Sequence, residues 1–215
     1  MPTGILDLPL FVVAGLLLNL TPGADTLYIV SRAAGGGLRA GLLAALGIGA
    51  GCVLHALAAA LGLSALLATS ALAFDLVKWA GAAYLAWLGL RMLVRPAPAP
   101  TDAALQPVRP GGIRIFTEGM LTNVLNPKVA MFFLAFVPQF IAADAPAKPL
   151  AFLFLGAVFV CNGTLWCLLL AWLAARFGAA VTASSLTGRW LSRAGGALFI
   201  ALGLRLALVE STRSA

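Results

Sequence analysis

Apolar residues run through the chain in long unbroken stretches, and the few polar positions fall mostly between them. Residues 8–20 are uncharged, residues 40–74 contain no Asp, Glu, Lys or Arg, and residues 149–175 form a further uncharged run. A helix of about 20 apolar residues, rising about 1.5 Å per residue, matches the hydrocarbon thickness of a bilayer. The run at 40–74 is too long for one span, so a turn is expected near residues 62–70, where glycine and serine occur. The pattern predicts transmembrane helices at residues 5–31, 41–61, 72–94, 113–141, 150–175 and 190–208. No basic segment precedes the first of them and no convincing small-residue cleavage site follows, so it is expected to be retained. Residues 95–112, RPAPAPTDAALQPVRPGG, hold five of the twelve prolines and can form neither a helix nor a buried strand. The expected fold is all-α, a polytopic membrane protein with six transmembrane helices. A first three-helix half at 1–94 is joined by a cytoplasmic linker at 95–112 to a second at 113–215.

Composition agrees with that pattern. Of 215 residues 62% are apolar and 10% charged, against about 25% charged in soluble proteins, and the mean hydropathy is +1.02. Six spans use up the chain, which excludes a separate soluble catalytic domain. A net charge of +7 would raise the question of nucleic acid in a soluble protein. Here the basic residues stand mostly at the edges of apolar runs, where they face the cytoplasmic leaflet, so no nucleic-acid partner is expected. Nine of them, from Arg32 and Arg39 to Arg189 and Arg193, fall in the connections after helices one, three and five, against three on the opposite side. The excess puts the odd connections inside and both termini outside. Cys52, Cys161 and Cys167 form no C-x-x-C pair and read as small packing residues.

An odd number of spans per half makes the halves inverted in the membrane. Leu20-Thr21-Pro22-Gly23 aligns with Leu125-Asn126-Pro127-Lys128, which predicts a 3+3 inverted repeat with helices one and four broken at Pro22 and Pro127. A proline inside a helix deletes one backbone hydrogen bond, a loss that lipid does not relieve, so the freed carbonyls must be buried in protein or line a wet cavity. Such breaks also occur as packing kinks. Two of them at matching places, flanked by Asn19, Thr21, Asn123 and Asn126, point to a substrate site. Helix N-termini there would attract a carboxylate, and free carbonyls an ammonium group, as in an amino acid.

Ionisable groups inside spans are functional candidates, because each costs several kcal/mol unless paired or hydrated. Asp25 and Lys128, beside the two prolines, are expected near each other across the site, with Asp25 sensing protons or a substrate amine and Lys128 sensing a carboxylate. The alternative for Asp25 is the cytoplasmic headgroup zone. Glu118 would either snorkel to the cytoplasmic side or line the entry. His55, the only histidine, lies at a depth suited to proton relay or to a hydrogen bond within the bundle. Asp75 and Lys78 are spaced to pair on one helix face. No metal site, cofactor or hydrolytic constellation is indicated. Glycines such as Gly47, Gly51, Gly89 and Gly196 promise close helix packing, and a homodimer is compatible with them.

The motifs also resemble a known family. Asn19-Leu20-Thr21-Pro22-Gly23-Ala24-Asp25-Thr26-Leu27-Tyr28 with the glycine-rich stretch 35–51, then Gly81 to Gly89, then NVLNPKVAMFFLAFVPQF from Asn123 to Phe140, are similar in order to signatures of the LysE/RhtB family of bacterial amino-acid exporters. Ala24 stands where that family's first signature usually has a second proline. The resemblance, closer to the homoserine and threonine branch, implies efflux of amino acids across the bacterial inner membrane by proton antiport. The substrate path read from the two breaks and the intramembrane charges contains Asn19, Thr21, Pro22, Gly23, Asp25, Asn123, Asn126, Pro127 and Lys128, with Asp25, Glu118 and His55 as proton-linked candidates. The rivals are an inorganic-cation exporter, which would want more intramembrane carboxylate or thiol, and a membrane enzyme or electron carrier, which would want paired cysteines or a nucleophile.

Overall fold

The computed structural model describes residues 4–63, 111–142 and 144–177, together with single helical positions within 76–94 and 193–207. The linker at 95–110, the pair Asp75 and Lys78, the turn expected after Gly62 and most of predicted helices three and six lie outside the described residues. Those described are helical, with one isolated β-bridge between Ile5 and Ile141. The elements are α1 (Leu8–Leu20), α2 (Ala24–Ala58, continued by a π-turn at Ala59–Leu63), α3 (Gly112–Val124), α4 (Pro127–Met131, continued by Phe132–Phe136 and Val137–Phe140) and α5 (Lys148–Phe177).

Proline sets both breaks. Thr21 and Asn126 each precede a proline and are driven out of the helical region, to ψ 119° and ψ 107°. Predicted helix one is therefore α1 plus the start of α2, and predicted helix four is α3 plus α4, bent by 48° at Asn126. The reversal between predicted helices one and two falls at Gly37, whose φ of 74° is open to glycine but strained for side-chain-bearing residues. Past it the chain returns on itself, so that a Cβ on Gly41 would lie 2.7 Å from that of Ala33. On a straight helix eight residues span about 12 Å.

Contacts fix the helix directions. The arm of α2 after Gly37 runs parallel to α3 and antiparallel to α5, with Gly49 against Thr164 and Gly156 against Ala56. α1 runs parallel to α5, with Gly15 on Phe159 and Asn19 beside Gly163. Predicted helix one lies antiparallel to predicted helix four along its length: Ile5 meets Ile141, Phe11 meets Phe140, and Tyr28 reaches Ile115. Gly89 packs against Gly196 and Ile200, joining the third and sixth predicted spans.

Among the described residues, Ala24–Gly62 and Lys148–Phe177 are long and apolar enough to cross a membrane, and the bent pair of α3 and α4 makes a third such unit. The outer surface is apolar, with Leu61, Ile113 and Leu125 each at least three-quarters exposed, as suits lipid and not water. The chain is a membrane protein.

Gly51 shows how tightly α2 and α3 pack: a Cβ there would sit 2.6 Å from the Met120 carbonyl oxygen and 2.9 Å from the Asn123 Cβ, while Gly35 has open space around it. Gly51→Val is expected to destabilise the protein by about 1–3 kcal/mol through overpacking, read as a lower unfolding midpoint in detergent. Gly35→Ala should leave the midpoint unchanged.

Candidate functional site

The antiparallel course of the two broken helices brings Thr21–Gly23 opposite Leu125–Pro127. Each proline deletes the N–H that would have bonded the carbonyl four residues earlier, Leu18 for Pro22 and Asn123 for Pro127. Both carbonyls are answered from elsewhere in the chain. The Lys128 ammonium donates to Leu18 O at 3.2 Å and to Thr21 O at 3.0 Å. His55 Nε2 lies 3.1 Å from Asn123 O, its ring stacked 6.1 Å from that of Phe133. A carbonyl accepts but cannot donate, so the Nε2 facing it carries the proton. The Thr21 hydroxyl turns back onto Leu17 O at 2.7 Å and closes the end of α1.

Asp25, in the first turn of α2, faces the second break. Its Oδ2 accepts from Asn123 Nδ2 at 2.9 Å and from Asn126 Nδ2 at 3.0 Å. Asn126 is used at both ends, since its Oδ1 also accepts the Lys128 N–H at 3.0 Å and caps α4. The carboxylate fixes the amide orientations, because only the NH2 end can face it.

Asp25 and Lys128 line one cavity of about 40 Å³, room for roughly three waters, without a direct ion pair between them. Asn19 and Asn123 also line it, as do Thr26, Gly49, Cys52, Phe159, Gly163, Thr164, Trp166 and Cys167. Four buried side-chain atoms among the described residues lack a hydrogen-bond partner, and three belong to this lining: Asn19 Nδ2, Asp25 Oδ1 and Asn123 Oδ1. Native proteins rarely leave such atoms unsatisfied, and a cluster of them on residues that line one cavity marks a place for a polar guest.

Two side-chain clusters flank the cavity along the broken helices. On the α1 side Phe11, Phe132, Phe136 and Phe140 form a buried aromatic cluster that reaches Phe159 in the cavity wall, with Phe132 stacked on Phe159 at 4.2 Å. On the other side Glu118 ties predicted helix one to α3, through Arg32 NH2 at 2.6 Å and Tyr28 OH at 3.2 Å, and also pairs with Arg114 Nε at 2.8 Å. Arg32 lies over the Tyr28 ring at 5.1 Å.

The sequence-derived residues thus fall into groups. Asn19, Asp25, Asn123 and Lys128 line the cavity, and Thr21 and Asn126 stand behind them as their partners. Pro22, Gly23 and Pro127 shape the breaks, and His55 contacts Asn123 from outside the lining. Glu118 lies in the ion-pair cluster and not in the cavity wall. The freed carbonyls, expected to suit a substrate ammonium, are held from within the chain instead, Leu18 O by Lys128 and Asn123 O by His55. Gly49, Thr164, Trp166 and Cys167 escaped notice as lining, although Asn162-Gly163-Thr164 is a polar triplet within an otherwise apolar run. Among the described residues no group of three or more His, Cys, Asp or Glu could hold a metal ion.

A model of the LysE type translocator family matches residues 16–210. The chain belongs to that family. A leucine efflux protein of Salmonella choleraesuis is 30% identical over 97% of this chain and 98% of its own length. A homoserine/homoserine lactone efflux protein of Salmonella typhi is 31% identical over 95% of this chain and 96% of its own. No solved structure matches the chain. This LysE family member carries both proline breaks inside the matched region, and the polar residues around them surround its cavity.

Proposed function

We propose that this protein is a secondary transporter that exports amino acids or close derivatives from the cytoplasm across the inner membrane, in exchange for protons. The observation that carries the proposal is the Asp25 carboxylate, set in a cavity at the junction of two broken helices with one oxygen unpartnered. Broken helices that meet at a polar cavity are how transporter folds present substrate sites within the bilayer. A carboxylate there can carry a proton in one half-cycle and face substrate in the other. The names of the relatives, leucine efflux protein and homoserine/homoserine lactone efflux protein, favour a neutral substrate. The same reading is favoured by the cavity wall, where among the described residues Asp25 is the one carboxylate and no second anion faces a cationic side chain.

The architecture proposed is six spans in two inverted three-helix halves, with both termini outside. A reporter fused after Ala215 is expected to be active only on the outer face, and a cytoplasmic signal would overturn the orientation. Export is tested by counterflow of labelled leucine and homoserine in proteoliposomes, with and without a pH gradient. Stimulation of uphill movement by an opposing proton gradient is the expected result, and an absence of amino-acid movement under any gradient would sink the proposal.

A further inference from the structure

The charged groups of the cavity are unequally available. Among the described residues the walls hold one carboxylate and one ammonium. The Lys128 ammonium already donates to Leu18 O and Thr21 O, the carbonyls exposed by the first break, which leaves at most one N–H to spare. Asp25 presents an oxygen with no donor, and Asn123, only 2% exposed, presents a second. The two groups are held together, because the Asn123 amide nitrogen sits 2.9 Å from Asp25 Oδ2. Among the described residues the site therefore offers two buried acceptors, one of them on an anion, and a single unpartnered neutral donor, Asn19 Nδ2.

We infer that this protein recognises its substrate through the ammonium group, seated on Asp25 Oδ1 and Asn123 Oδ1, and that a free carboxylate is not required. The inference rests on the export reading and adds which end of the molecule is held. An ammonium supplies several N–H donors and a charge that neutralises Asp25 in a low-dielectric site. An N-acylated amino acid supplies one N–H and no positive charge, and leaves two anions in the cavity, its own and Asp25. An ester, lactone or amide keeps the ammonium and gives up only the carboxylate. Leu18, Ile48, Val129, Phe159 and Leu170 supply apolar wall for a side chain.

The test uses the full chain in proteoliposomes without a pH gradient, measuring counterflow of labelled leucine against unlabelled competitors. Leucinamide is expected to compete within about threefold of leucine, whereas N-acetylleucine and isocaproate should be weaker by about 10- to 100-fold, the loss that goes with one charge-assisted hydrogen bond. Asn123→Ala should weaken leucine and leucinamide in parallel. Competition by N-acetylleucine equal to that of leucine, failure of leucinamide to compete, or an Asn123→Ala defect confined to leucine would each overturn the inference while leaving export intact. Labelled leucine and homoserine both failing to exchange would instead overturn export, and this inference with it. A binding measurement that needs no transport, the shift in unfolding midpoint of the detergent-solubilised protein, should rank leucinamide above N-acetylleucine, and the reverse order would also overturn it.

Discussion

Asp25→Asn is expected to lower amino-acid export by about 10- to 100-fold and to leave the residual rate insensitive to pH. The magnitude follows from what the carboxylate does. It is the anion of the cavity, and a hydrogen bond to a charged group contributes about 1.5–3 kcal/mol where a neutral one contributes about 1, with about 1.4 kcal/mol to each tenfold in binding. The substitution is nearly isosteric. An asparagine at 25 keeps one oxygen to accept from Asn123 or Asn126, so the packing of α2 on α3 should survive. What is lost is the charge and the place for a proton. If export is in exchange for protons at Asp25, as proposed, inhibition by acid on the substrate-loading side is the expected result, and in the variant that dependence should disappear. The measurement is initial efflux across a series of pH values, with monodispersity in detergent as the check on folding. Full activity with an unchanged pH profile would remove Asp25 from the coupling.

The two breaks, and the carbonyls they expose, were legible in the sequence because proline deletes one identifiable hydrogen bond. Given Pro22 and Pro127, the deprived acceptors are necessarily Leu18 and Asn123. The donors that answer them were not legible, because they come from distant segments: Lys128 is 110 residues from Leu18 and His55 is 68 from Asn123. Composition could suggest only that a buried lysine needed company. Asp25 was a candidate from its place beside Pro22, but its partners follow from the antiparallel course of the two broken helices, a tertiary fact. The predicted spans 5–31 and 41–61 required a reversal between them, yet that Gly37 takes the positive φ depends on how α2 packs on itself. Thr164 stayed hidden for a different reason. Within a long uncharged run, hydropathy averages over the one turn that is polar, and only the packing of α5 turns that polar face toward the cavity.

Lys128→Met should disable both the fold of the first break and transport, which separates it from Asp25→Asn. Methionine matches the length of the lysine stem but donates nothing, so Thr21 O loses the lysine donor, and Leu18 O keeps only the long Thr21 N–H contact at 3.2 Å. Each buried carbonyl left short costs about 1–3 kcal/mol, a cost that lipid does not repay. The same change removes the positive charge that balances Asp25 across the cavity. A loss of about 3 kcal/mol is therefore expected, or about 6–12 °C in unfolding midpoint for a chain of this size. His55→Phe offers the parallel at the other break. It keeps a ring to stack on Phe133 but gives up the donor to Asn123 O, which retains the Asn126 N–H at 2.9 Å, so its loss should be the smaller of the two. Lys128→Arg tests the fit, since a guanidinium keeps donors and charge but is too broad to sit between two carbonyls in the same way. Stability recovered by arginine without recovery of transport would identify Lys128 as the post that holds the break open beside Asp25. A methionine variant as stable as the wild type would show that the carbonyls find other donors, and would end that role.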